Sequence, residues 1–132
     1  YVLRECDGAF MGAETFYPDG TGFNTTGSDM VGLICHFYQI PLYFLTPMIK
    51  LDVRPAFGGR KKLVYDDLRE KLSAGWGEEI DCGKIDFVVP ELLGVAPEFI
   101  RGFVTEKGVI PANQMFGISM EYSRELRGGR VS

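Results

Sequence analysis

One imidazole, three thiols and a scatter of carboxylates are the side chains of this sequence with chemistry to offer. His36 adjoins Cys35, and a nucleophilic thiol–imidazole pair needs both groups within hydrogen-bond reach and a third group to orient the ring. Neighbours on a strand point to opposite faces, and on a helix they diverge by roughly 100°, so these two cannot serve each other. An enzyme reading must therefore draw on distant partners, with His36 as general base beside Asp81 or Cys82. The competing reading makes His36 a hydrogen-bonded scaffold residue of the core, because it lies in the most apolar part of the chain.

Carboxylates cluster at Asp66-Asp67, at Glu78-Glu79 with Asp81, and at Asp86. Paired acids can do acid–base work when their environments push their pKa values apart. Asp66 and Asp67 fall at the start of a predicted helix, where negative charge complements free N–H groups. Glu79 and Asp81 would share a strand face, yet two ligands make a poor site for a hard cation. Cys6, Cys35 and Cys82 are widely spaced and form no CxxC pair, so neither a zinc site nor a thioredoxin-like motif is present. No P-loop, GxSxG elbow or HExxH occurs, and no GxGxxG follows a predicted strand. We expect no cofactor and no metal.

Charge narrows the partners. Fourteen basic against 18 acidic side chains leave a net charge of −4, which argues against a general nucleic-acid binder and against DNA. The one basic cluster, Arg54 with Arg60, Lys61 and Lys62, keeps open an RNA- or ribosome-associated module. Aromatic content is high, with ten Phe, six Tyr and one Trp, and interfaces favour such residues at their centres. Trp76, Tyr38, Tyr43, Phe44 and Phe57 are the candidate contact residues. The expected function is a non-catalytic structural or assembly subunit working through protein–protein contacts or self-association, with the His36 enzyme as the alternative.

The elements that would hold these residues read as an α+β fold. We expect an antiparallel sheet of four to seven strands with two or three helices. An all-β sandwich or jelly roll is the rival, since 17 glycines and seven prolines supply many turns. Ile49, Leu51 and Val53 alternate with Lys50, Asp52 and Arg54 in a strand over residues 48–54. A second strand places Phe116, Ile118, Met120 and Tyr122 on one face, and a third spans residues 85–89 before Pro90. Residues 1–6 and 14–17 are further strand candidates, and Pro18-Asp19-Gly20 is a turn. Val64, Leu68 and Leu72 mark one helix, stopped by Gly75. Phe99, Ile100 and Phe103 mark another over residues 96–104, where Gly102 leaves a strand as the alternative.

Residues 30–49 carry no Asp, Glu, Lys or Arg, the length of a membrane span. His36, Gln39, Pro41 and Pro47 weigh against one. A buried helix or strand to Ile40, a break at Pro41 and an extended segment fit better. A single globular domain over 1–122 and a fraying polar tail over 123–132 complete the outline. The first residue, Tyr1, fits a processed mature chain; the composition reads as soluble and indicates no compartment. The run Leu45-Thr46-Pro47-Met48-Ile49-Lys50-Leu51-Asp52-Val53, with Ile110-Pro111 and Met115-Phe116-Gly117, resembles phrases in the C-terminal domains of translational GTPases. The nucleotide-binding part of that family has no counterpart here, and no functional residue carries over.

Overall fold

A two-residue period organises the central sheet. In β4 (Leu42–Leu45) it buries Leu42 and Phe44 while Leu45 stays exposed, and in β1 (Ala9–Gly12) it half-buries Ala9 and Met11. The computed structural model describes residues 1–58 and 65–128. Along the chain follow β2 (Thr15–Phe16), β3 (Gly22–Thr25), helix α1 (Ser28–Phe37) and then β4. Beyond them lie β5 (Tyr65–Asp67), α2 (Arg69–Ser73), β6 (Val88–Pro90), β7 (Leu92–Val95), β8 (Gly102–Thr105), β9 (Gly108–Pro111) and α3 (Met115–Gly128).

The central sheet has the order β1-β4-β8-β9, with β1, β4 and β8 parallel and β9 folded back antiparallel on β8. Parallel neighbours need a crossover, and α1 lies in the connection from β1 to β4. A second sheet, β2-β3-β7, and the pair β5-β6 are antiparallel. The mixed α+β class stands, with three α-helices and nine strands among the described residues.

Register sorts the central sheet into two faces. Met11, Phe44, Phe103 and Ile110 lie side by side across the four strands and face the core. On the other face, Phe10 stacks on Tyr43 with ring centroids 5.6 Å apart, and Phe10, Leu45 and Val109 are exposed. The core itself is aromatic: Phe44 stacks on Phe103 at 5.6 Å, and Phe103 meets Phe16 at 5.2 Å. Gly22 lies under the Phe44 ring, where a methyl group would sit 2.9 Å from Cζ. Gly20, in the expected turn, has φ +91° and backs onto Ala112, whose carbonyl oxygen would be 2.5 Å from an added Cβ. Its amide bonds the Tyr17 carbonyl at 3.0 Å, and Asp19 Oδ1 accepts from the Thr21 amide at 2.8 Å.

Several expected elements differ, beginning with residues 1–6, where a 3-10 turn over Val2–Glu5 stands in place of a strand. Residues 48–54 form no strand: after Pro47 the chain makes a 3-10 turn over Met48–Lys50, and Leu51 alone bridges to Phe16. Ile49, expected inward, is 71% exposed. Residues 116–122 belong to α3, where Met115, Ser119 and Ser123 are buried at a spacing of four with Ile118 and Tyr122 beside them. The apolar alternation from Phe116 to Tyr122 is incidental to that helical stripe. Helix α3 also takes in residues 123–128 of the supposed tail, with Arg127 donating to Ser123 Oγ at 3.1 Å. Residues 96–104 give a 3-10 turn, Pro97–Phe99, and then β8. The stripe from Val64 splits into β5 and α2, and Val64 itself lies outside the described residues. The apolar run to Ile40 does become a helix, and the segment after Pro41 an extended strand. Among the described residues, no helix is long and apolar enough to cross a membrane.

Candidate functional site at the carboxyl ends of the parallel strands

Open sheets with parallel strands hold ligands beyond the carboxyl ends of those strands, where the loops are free to carry polar groups. Here β1 runs into Ala13 and Glu14, β4 into the turn bearing Lys50, and β8 into Glu106. These three loops are tied to one another. Both carboxylate oxygens of Glu106 accept from the Met48 amide at 3.0 Å, fixing the start of the 3-10 turn. Lys50 Nζ donates to the Ala13 carbonyl at 2.8 Å, and Thr15 Oγ1 donates to the Lys50 carbonyl at 2.9 Å. The Asp52 amide reaches the Phe16 carbonyl at 2.9 Å.

Glu14 sits between the two residues clamped by Lys50. Its amide donates to the Phe23 carbonyl at 2.8 Å, while the ladder pairs Phe23 with Thr15. Two residues thus face one, which is a β-bulge, a device that re-aims side chains beside active sites. The Glu14 carboxyl is exposed at the rim, and Asn24 follows Phe23 on the adjoining strand. A carboxylate, a carboxamide and a fixed ammonium at one sheet end can bind a polar ligand and move a proton.

The residues nominated from sequence lie elsewhere. His36 is exposed on α1, not buried as scaffolding, and its ring meets Phe99 at 4.9 Å. The helix ends at the surface, with Phe37, Tyr38 and Gln39 exposed and Gln39 at φ +57° before the chain turns inward at Ile40. His36 lines an open groove of about 860 Å³ with Cys35, Gln39, Glu98, Arg101 and Asn113. That groove lies at the amino ends of β4 and β8, opposite the tied loops. The groove is the larger concavity, but the polar groups held in place by hydrogen bonds gather at the carboxyl ends. Among the described residues the His36 imidazole makes no hydrogen bond, although its carbonyl accepts from the Gln39 amide at 3.2 Å, and neither Asp81 nor Cys82 lines the groove. Asp81 Oδ1 accepts from the Gly83 amide at 2.8 Å, and the Cys82 carbonyl accepts from Arg69 at 3.4 Å. Burial pushes the Cys35 thiol above its usual range, with Cys6 adding to the shift.

Of the proposed contact residues, Phe44 is fully buried and unavailable to a partner. Tyr43 is half-buried against Phe10, whereas Tyr38, Phe57 and Trp76 are exposed, Trp76 meeting Phe87 at 6.1 Å. Arg54 is engaged by Asp52 through two bonds of 2.8 and 2.6 Å. Arg60, Lys61 and Lys62 lie outside the described residues. Among the described residues, no group of three His, Cys, Asp or Glu is placed to hold a metal. Asp67 bonds the Arg69 amide at 2.9 Å ahead of α2, as expected of an acid at a helix start.

A sheet with its polar loops gathered at one end is the plan of a small-ligand-binding fold. The family follows from the sequence itself. Residues 1–112 match the model of the Initiation factor 2 subunit family, and the chain belongs to that family. A methylthioribose-1-phosphate isomerase of Bacillus cytotoxicus is 27% identical over 100 residues, covering 76% of this chain and 28% of its own. That of Populus trichocarpa is 28% identical over 109 residues, covering 80% and 28%. The crystal structure of 5-methylthioribose 1-phosphate isomerase from Pyrococcus horikoshii superposes with a TM-score of 0.72 at 16% identity, over 95% of this chain and 35% of that one. The tetrameric eIF2B-beta2-delta2 complex of Chaetomium thermophilum gives 0.60 at 14% identity, over 91% and 32%. These structures share the fold. The chain spans about a third of the length of the relatives it matches.

The expectation of a non-catalytic structural or assembly subunit is overturned by these relatives, which are named as enzymes. The likeness to translational GTPases gives way to a family match that runs through residues 1–112. Among the related folds, one was solved as a tetrameric complex.

Proposed function

We propose that this chain supplies part of the site of an isomerase acting on a phosphorylated sugar of the methylthioribose 1-phosphate type. The observation that carries the reading is the place of Glu14: a carboxylate on a bulge at the carboxyl end of a parallel strand, in a chain whose relatives bear that enzyme name. In such a sugar C1 is tied to the ring oxygen and to phosphate. A proton leaves C2 as the C1–ring-oxygen bond breaks, and the freed ring oxygen takes up a proton. The resulting enol loses its hydroxyl proton and is protonated at C1, leaving a ketone at C2 and the phosphate on C1. A carboxylate within reach of the C2 proton serves first as base and then, protonated, as acid. The reaction neither gains nor loses electrons overall. Asn24 would hold sugar hydroxyls, because its amide both donates and accepts.

The test is to incubate the complete polypeptide, as the cell makes it, with 5-methylthioribose 1-phosphate and follow the ketose product by NMR. Wild type should convert the substrate, and Glu14→Gln should slow conversion about 10²- to 10⁴-fold with its unfolding midpoint unchanged. No turnover by wild type, or full turnover by the Gln variant, would refute the assignment.

A further inference from the structure

We infer that Lys50 is a positioning residue that sets the Glu14 carboxylate; this rests on the isomerase reading. A surface lysine ordinarily keeps its ammonium in water and its stem along the protein. Lys50, exposed as a whole, nevertheless carries Nζ to the carbonyl of Ala13, a residue 4% exposed. Its own carbonyl takes the Thr15 hydroxyl. One residue therefore grips the chain immediately before and immediately after Glu14.

The grip is anchored from behind. The turn bearing Lys50 starts at Met48, which is fully buried and whose amide is bonded by both oxygens of Glu106. Leu51 and Asp52 then run beside Phe16, bonded on the far side of the bulge. A bulge leaves a residue unpaired in the ladder and so loosens its own strand. Here bonds from outside the ladder replace that lost restraint. The Ala13 carbonyl takes a charged donor on a long stem, which Lys or Arg provides; Met offers no donor, and the neutral amide of Gln sits on a shorter stem.

The experiment measures Lys50→Met, Lys50→Gln and Lys50→Arg in the complete polypeptide. Its readouts are kcat and KM for the sugar phosphate, the unfolding midpoint, and hydrogen exchange at the Glu14 and Thr15 amides. Loosening Glu14 should lower kcat of the Met and Gln variants about 10- to 100-fold. KM should stay within about twofold, since misplacing a group that acts in the transition state leaves ground-state binding intact. The Glu14 amide should exchange faster, and Arg should restore both kcat and protection. The inference is overturned if Met and Gln keep wild-type kcat and exchange, if KM alone rises, or if Arg behaves as Met does. Should wild type fail to turn over, the isomerase reading falls by itself; faster exchange in Met and Gln with recovery in Arg would still establish the grip.

Discussion

Replacing Gly22 by alanine probes how tightly the aromatic core is closed. Gly22 carries no positive φ, so its backbone accepts alanine. In open space the change would stabilise by about 0.4–1 kcal/mol through a less flexible unfolded chain. The added methyl, however, would meet three atoms of the Phe44 ring at 2.9, 3.0 and 3.1 Å, roughly 0.5 Å inside ordinary contact. The ring cannot swing away, because Phe44 is fully buried and stacks on Phe103. Overpacking of this kind costs about 1–3 kcal/mol, so destabilisation wins. Net of the unfolded-chain gain, a loss of about 1–2 kcal/mol in a chain of 132 residues corresponds to a fall of about 3–10 °C in the unfolding midpoint. Urea unfolding of wild type, Gly22→Ala, Phe44→Leu and the double variant tests the cause. Phe44→Leu alone should destabilise through lost packing, but in the Gly22→Ala background it makes room for the methyl. The two losses should then sum to at least 1 kcal/mol more than the double variant loses, with m unchanged. A stabilised Gly22→Ala, or additivity within about 0.5 kcal/mol, would refute the packing argument.

Cys35 should resist iodoacetamide in the folded protein while Cys6 and Cys82, both partly accessible, are modified; equal rates would count against its burial. Because burial raises the Cys35 thiol above the ordinary 9.0, the fold gains stability while that thiol is neutral in both states. The gain is fully present below pH 9.0 and is lost as the pH climbs toward the folded value. Urea midpoints at pH 8 to 10, set against Cys35→Ala, should show a steeper alkaline decline in wild type, and parallel curves would dismiss the effect. On the bare sheet face, Phe10→Thr and Val109→Thr should change the unfolding midpoint little, because both side chains are exposed; a fall as large as that of a core substitution would show the face to be covered.

The sequence patterns that succeeded were those with a local physical cause. Pro18-Asp19-Gly20 turned because proline and glycine dictate φ, and the break at Pro41 split helix from strand. Alternation failed at Ile49-Leu51-Val53 because a turn can mimic the pattern over a few residues. It failed at Phe116–Tyr122 because the buried serines Ser119 and Ser123 carry no apolar signal. The site was not legible for a different reason. The loops bearing Glu14, Lys50 and Glu106 come together only once β1, β4 and β8 run parallel, and a lone Glu or Lys looks like any solvated charge. An outward-facing Lys50 followed from the strand assignment, whereas the turn lets its side chain reach back to Ala13. His36 drew attention as the one imidazole and through its neighbour Cys35, whereas the polar residues that share its groove, Glu98, Arg101 and Asn113, lie far along the chain.

The fit between Gly20 and Ala112 bears on the order in which the chain acquires its shape. The early hairpin can form by itself, since its turn is local. Its seat is completed only by the backbone that follows β9. During synthesis, then, the hairpin must wait on the ribosome-proximal part of the chain before it locks. A newly made stretch ending ahead of Ala112 would hold its strands without their latch, and it would be the form most open to proteases and misassembly.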